Sequence, residues 1–298
     1  MAPLGFKCVL NAQEPIAGLF WEPCLPVLHV FQTTGRERLI DVSRDSACGS
    51  RSIPALERAE RFEPSPCGRY RAIARGGQLA VWNSQKNEIV PAPPNASVIE
   101  QMAWNPRSSV GELWLAGSFG LATWSAGGDF SIRSHDPRSD TTALAWDPTG
   151  TYLARACKRG GLVLWNECTN QRVRLERPGG HPIRQFAWNS SGAILTGTSG
   201  TSVFFWSIPA ALHGKRDAQS VRRISAPVSQ LAFRPRSNIV AVGRIDGALE
   251  LLREVESGEA RRRAQLGAVI SHLAWSPNGK QLAVATSSGQ VYATRVCR

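Results

Sequence analysis

The chain has 298 residues, 42% of them hydrophobic and 19% charged, the make-up of a folded globular protein rather than a disordered or collagen-like one. Lysine and arginine total 35 against 23 aspartates and glutamates, a formal charge of +12, which favours polyanionic partners such as nucleic acid, an anionic membrane face or an acidic protein surface. No run of about 18 apolar residues occurs, so no transmembrane segment is expected, and the N-terminus shows no secretory leader.

In chain order, Gly5–Leu10 reads as a short strand. From there one motif recurs seven times: an apolar strand ending in an aromatic, often followed by proline or another turn residue. The copies are IAGLFWEP, AERFEPSP, EQMAWNP, TALAWDP, RQFAWNS, SQLAFRP and SHLAWSP. Their aromatic anchors are Trp21, Phe62, Trp104, Trp146, Trp188, Phe233 and Trp275, spaced by 41, 42, 42, 42, 45 and 42 residues. That is the length of one four-stranded propeller blade.

Each copy continues alike. A turn with Gly or Pro follows (66–68, 148–150, 190–192, 277–279), then a second strand of small and branched residues such as Tyr152–Cys157, Ala193–Thr198 or Gln281–Ala285. Small side chains suit an inner strand crowded near a central channel. A glycine turn leads to a third strand, which ends in tryptophan at Trp82, Trp124, Trp165 and Trp206. Nine of the ten tryptophans therefore occupy repeat positions, which predicts blade-to-blade packing for them; Trp114 is the exception.

The last copy supplies strands near Ile270–Trp275, Gln281–Ala285 and Gly289–Val296 and has no fourth. The predicted fold is all-β: a single seven-bladed β-propeller over residues 1–298. Residues 1–12 supply the outer strand that completes the last blade and closes the ring, protecting an otherwise unpaired edge.

The seven cysteines (Cys8, Cys24, Cys48, Cys67, Cys157, Cys168, Cys297) form no C-x-x-C pair, so neither zinc ligation nor a disulfide framework is expected. Reduced thiols in an intracellular protein follow, and the sequons at Asn95 and Asn189 are expected to stay unmodified. His29, His135, His181, His213 and His272 are assigned to five different blades, with His29 and His272 read as packed or rim residues. No H-E-x-x-H, G-x-S-x-G or phosphate-loop string occurs. No enzymatic activity, cofactor or metal is expected.

Basic clusters carry the functional expectation. Lys215, Arg216, Arg222 and Arg223 flank the longest excursion between strands, Pro209–Ser220. Arg36, Arg38, Arg44 and Arg51 are assigned to loops of the first blade, and Arg261, Arg262 and Arg263 to the outer strand of the sixth. The partner-contact candidates are Lys215, Arg216, Arg222, Arg223, Arg36 and Arg38. No aromatics interleave them, so any RNA contact is expected at phosphates, not bases.

The segment LAWSPNGKQLAVATSSG at 273–289 resembles the WD-repeat family, with the Trp-Asp dipeptide replaced by Trp-Asn (82–83, 165–166) or Trp-Ser (124–125, 206–207). Gly180-His181 keeps the family's Gly-His, whereas Asp246-Gly247 falls in the next blade. The resemblance therefore implies that the usual His–Asp network is missing and that apolar packing holds the blades. Residues 70–214 are most similar to the aladin family of nuclear-pore subunits. The likeness lies in LAVWNSQKNEIVPAP at 79–93, QMAWNP, LWLAGSFGLATW at 113–124 and PGGHPIRQFAWNSSG at 178–192. It implies a non-catalytic scaffold in a large assembly at the nuclear envelope, docked through a membrane-embedded nucleoporin and acting in nucleocytoplasmic transport. The alternative is a scaffold subunit of an RNA-processing or ribosome-assembly complex.

Overall fold

A computed structural model of the chain describes residues 4–44, 46–90, 98–126, 132–137, 140–159, 161–177, 179, 181–253 and 262–296. Arg261, Cys297, Asn95, Pro178, Gly180 and residues 1–3 and 91–93 lie outside the described residues.

The strands assort into seven four-stranded sheets, and in six of these they follow one another in sequence order. The first blade is Ile16–Trp21, Val27–Gln32, Thr34–Asp41 and Ser46–Glu57. The second is Arg61–Pro64, Tyr70–Arg75, Gln78–Asn83 and Glu88–Val90. The third is Ile99–Trp104, Glu112–Gly117, Gly120–Ser125 and Ile132–Asp136. The fourth is Thr141–Trp146, Leu153–Cys157, Leu162–Asn166 and Gln171–Arg174. The fifth is Gln185–Trp188, Ile194–Ser199, Ser202–Ser207 and Ser220–Arg223. The sixth is Val228–Phe233, Ile239–Arg244, Ala248–Arg253 and Arg262–Gln265.

The seventh sheet breaks the sequence order. Ile270–Trp275, Gln281–Thr286 and Gln290–Arg295 are joined at their outer edge by Lys7–Asn11 from the other end of the chain. Lys7 lies opposite Ala293 and Asn11 opposite Gln290, antiparallel, with a bulge between Cys8 and Leu10. The Ala12 N–H donates to Gly289 O at 3.0 Å, and Thr294 Oγ1 donates to Gly5 O at 2.5 Å. The fold is thus an all-β seven-bladed β-propeller whose N-terminal strand completes the last blade.

Two compact units make up the chain: residues 1–58, 200–203 and 220–298, and residues 59–199 and 204–219. In the first unit, the core formed by Ala241, Leu249, Ile270, Trp275, Leu282 and Val284 joins the sixth and seventh blades. Ile16, Trp21, Leu28, Val30, Ala283, Ala285 and Val291 join the seventh and first. In the second unit, Leu79, Val81, Met102, Trp104, Leu113 and Leu115 join the second and third blades. Corresponding cores join the third to the fourth and the fourth to the fifth.

These cores explain a departure from period-two patterning. A sheet covered on both faces needs apolar residues at every position, not every second one. Leu282, Ala283, Val284 and Ala285 are all wholly buried, as are Ala72, Ile73 and Ala74 to within 1%. The outer strands Gln171–Arg174 and Ser220–Arg223 are covered less and read as polar. The small-residue second strand is inner but not innermost. That place belongs to the anchor strand: Thr141–Trp146 touches both Ile99–Trp104 and Gln185–Trp188, and Ile270–Trp275 touches both Val228–Phe233 and Ile16–Trp21.

The turn between the second and third strands of the last blade requires Gly289, whose φ is +78°. A Cβ there would lie 2.3 Å from Glu14 O, so even alanine would force the backbone apart.

The excursion at 209–220 is not an open loop. Ile208–Leu212 forms a helix whose N-cap, Ser207, accepts the Ala210 N–H, with Pro209 in the first turn. Ile208 and Ala211 are buried, which docks it on the blade.

Candidate interaction surfaces and the residues that hold them

Four anchor tryptophans do more than fill space. Trp104 Nε1 donates to Glu63 O at 2.9 Å and Trp188 Nε1 to Ala145 O at 3.2 Å. In the other unit, Trp275 Nε1 donates to Ala232 O at 3.0 Å and Trp21 Nε1 to Ala274 O at 2.9 Å. Each acceptor lies on the anchor strand of the neighbouring blade, beside that blade's own aromatic. The indole therefore buries a large apolar ring and pins its N–H to the next sheet. Phe62 and Phe233 have no such donor to offer. Trp146 has one, but its Nε1 is buried without a partner among the described residues.

Trp114, the tryptophan outside the repeat pattern, is wholly buried. His135 stacks on it with centroids 4.4 Å apart, and Trp146 and Trp165 meet it edge-on at 5.6 and 5.1 Å. Its indole N–H donates to Glu112 Oε1 at 2.8 Å. The run LWLAG on a doubly covered second strand was the available signal for a buried residue here.

Among the candidate cations, Lys215 and Arg216 are exposed just past the helix. Their backbone is pinned: Glu176 N–H donates to Arg216 O at 2.9 Å, and Ala218 N–H to Glu176 O at 3.1 Å. Arg222, half-buried, and Arg223, exposed, lie on the strand Ser220–Arg223. Arg36, Arg38 and Arg51 are on strands of the first blade rather than in its loops, and Arg44 occupies the turn between those strands. The cause is Glu37. This wholly buried carboxylate binds His29 Nδ1 at 2.7 Å and also the Arg51 guanidinium, so the arginine is drawn into the outer strand pairing. His29 Nε2 meets Glu22 Oε2 at 2.9 Å. Burial raises the Glu37 carboxyl, but hydrogen bonds from His29 and Arg51 outweigh it and hold the group below its ordinary value.

Arg36 is exposed and Arg38 half-buried, opposite Ser52 and Ser50 of the outer strand. Among the described residues, no carboxylate pairs with Arg36, Arg38, Lys215, Arg216 or Arg223. By contrast, Arg44 pairs with Asp41 at 3.6 Å and Arg263 with Glu250 at 3.6 Å.

Apolar packing alone does not hold the blades. Besides the Glu37 cluster, Arg244 is buried in the sixth blade, bound to Glu250 at 2.6 Å and to Asp246. Asp246 is thereby tied to an arginine of its own blade.

His181 enters the fifth blade and His213 follows the helix within that same blade, so these two histidines share one blade. Burial lowers His272 to about 4, with Ala17 backbone opposing. Among the described residues, no three His, Cys, Asp or Glu side chains gather as a metal site. Nor, among the described residues, is any helix long and apolar enough to cross a membrane.

Sheets, anchors and surfaces together define a WD-repeat-like seven-bladed β-propeller. The solved structure of U3-55K matches it with a TM-score of 0.75, covering 99% of this chain and 100% of that chain at 14% identity. At that identity the likeness shows the fold alone. No family model matches the chain. The intraflagellar transport protein 122 homolog of Danio rerio is 30% identical over 125 residues, and those of Mus musculus and Xenopus tropicalis are 29% identical over the same length. Each alignment covers 41% of this chain and 10% of the relative, so the chain spans about a tenth of the length of the curated relatives it matches.

Proposed function

We propose that this chain is a non-catalytic interaction scaffold that presents basic surfaces to acidic partners inside a larger assembly. The observation that carries it is the Lys215–Arg216 segment, whose backbone is bonded to Glu176 while both cations stay exposed. Fixed, exposed charges steer a partner and set its register without ordering a loop first. The relatives support the wider idea, being far longer chains named for transport.

The assembly we favour is the nuclear pore, with the chain as an aladin-type subunit docked near the nuclear envelope through a membrane-embedded nucleoporin. The support is the ordered set of segments at 79–93, 113–124 and 178–192. A fluorescent fusion should mark the nuclear rim, and native mass spectrometry of the purified complex should return pore subunits. Diffuse nuclear or nucleolar signal would sink the nuclear-pore reading. It would favour the second one, a scaffold of an RNA-processing or ribosome-assembly complex, for which the charge of +12 is the supporting observation. In that case RNA affinity would fall steeply with added salt.

A further inference from the structure

A cavity of about 520 Å³ opens at the ends of the anchor strands of the second to fifth blades, within the second unit. That is the size range of small-ligand pockets. Its walls are proline and tryptophan: Pro64, Pro106 and Pro148 with Trp104, Trp146 and Trp188. Every polar side-chain group of this lining but one is either hydrogen-bonded or, like Trp146 Nε1, inaccessible. Trp104 and Trp188 give their N–H groups to backbone carbonyls. Asp147 is consumed by its own turn, accepting the N–H groups of Thr149, Thr151 and Tyr152 at 3.1, 2.7 and 2.7 Å.

Glu63 is the exception. It lines the cavity and is exposed, and no side chain among the described residues hydrogen-bonds to or pairs with its carboxyl group. The surrounding protein still crowds water away. That desolvation pushes the carboxyl up to about 7, with Arg61 pulling the other way.

We propose that this cavity receives an arginine side chain of a partner protein, its guanidinium on the Glu63 carboxylate and its methylenes against the proline and tryptophan walls. A neutral apolar ligand would cover a carboxylate without compensating it. An anion would meet the one uncommitted charge of the lining with the wrong sign. Arginine fits better than lysine because its planar, weakly hydrated cation stacks on aromatic surface and pairs with a carboxylate in two-pronged fashion. The site is independent of the basic surfaces above and of which assembly the scaffold serves.

The test is a titration of the full chain with acetyl-Gly-Arg-Gly amide and with its citrulline counterpart, a neutral near-isostere, followed by intrinsic tryptophan fluorescence. The arginine peptide should bind saturably, and the citrulline peptide should bind about tenfold more weakly or worse, the loss expected with a charge-assisted pair. The net charge of +12 repels a cationic peptide, so diffuse attraction does not imitate the result. Glu63→Gln should lose about tenfold in affinity for the arginine peptide. Should that variant fail to fold, the comparison of the two peptides on the unaltered chain still decides. Equal binding of both peptides, no saturable binding of the arginine peptide, or undiminished binding by a folded Glu63→Gln would each overturn the proposal.

Discussion

Glu63 and Cys67 stand four residues apart, and their surroundings move their acidities in opposite directions. The folded chain holds a proton on Glu63 up to about pH 7, whereas an ordinary glutamate near 4.5 has lost it. The folded state therefore binds more protons than the unfolded one between those values. Its stability contribution is full below about 4.5 and is lost as pH rises through about 7. Glu63→Gln should consequently raise the melting temperature at about pH 8 and leave it unchanged at about pH 5; an equal effect at both would contradict the desolvated carboxyl. At Cys67, burial pushes the thiol up, but the Ser65 hydroxyl contact at 3.3 Å and the Arg69 cation outweigh it and lower it. Cys157 is pushed up to about 11 by burial. Alkylation by iodoacetamide near neutral pH, followed by peptide mass spectrometry, should label Cys67 well before Cys157, since the thiolate is the nucleophile. Neither shift was visible in the residues themselves. Each depends on neighbours that only folding supplies.

Between elements, the anchor tryptophans and the Glu37 cluster are the joints. Trp104 and Trp146 are equally buried to within a few per cent, but only Trp104 has its N–H satisfied. Trp104→Phe should cost about 1 kcal/mol more than Trp146→Phe in a denaturant titration, because it loses a hydrogen bond and strands Glu63 O as well. Equal losses would mean that the indole bonds contribute nothing. Glu37→Ala removes the carboxylate that links the second and outer strands of the first blade through His29 and Arg51. A loss of about 3 kcal/mol is expected from breaking a buried charge cluster on one side. The period of forty-two made the anchors legible, because an aromatic that recurs at one blade position must face the same environment each time. The bonding target of each indole was not legible. It lies some forty residues away, or 253 in the case of Trp21 and Ala274. Charge alone suggests exposed loops for the arginines at 36, 38 and 51; Glu37, buried between strands, is what draws Arg51 into the sheet.

On the scale of the whole molecule, the N-terminal strand is the element on which the last blade depends. Removing residues 1–12 would strip Lys7–Asn11 from its edge and take Leu4, which is 7% exposed, out of the core between the sixth and seventh blades. The melting temperature should fall in a single cooperative step, read by circular dichroism; an unchanged curve would show that the pairing adds no stability.

The repeat by itself determined the number of blades, their anchors and the need for a borrowed strand, because apolar runs, aromatic ends and turn residues are local patterns that any copy of the blade must obey. Tertiary structure decided the rest. The burial of Trp114 at an aromatic centre, the pairing of Glu37 and the open carboxyl of Glu63 all arise where side chains from different strands meet. Such meetings depend on packing and desolvation, which no local pattern encodes.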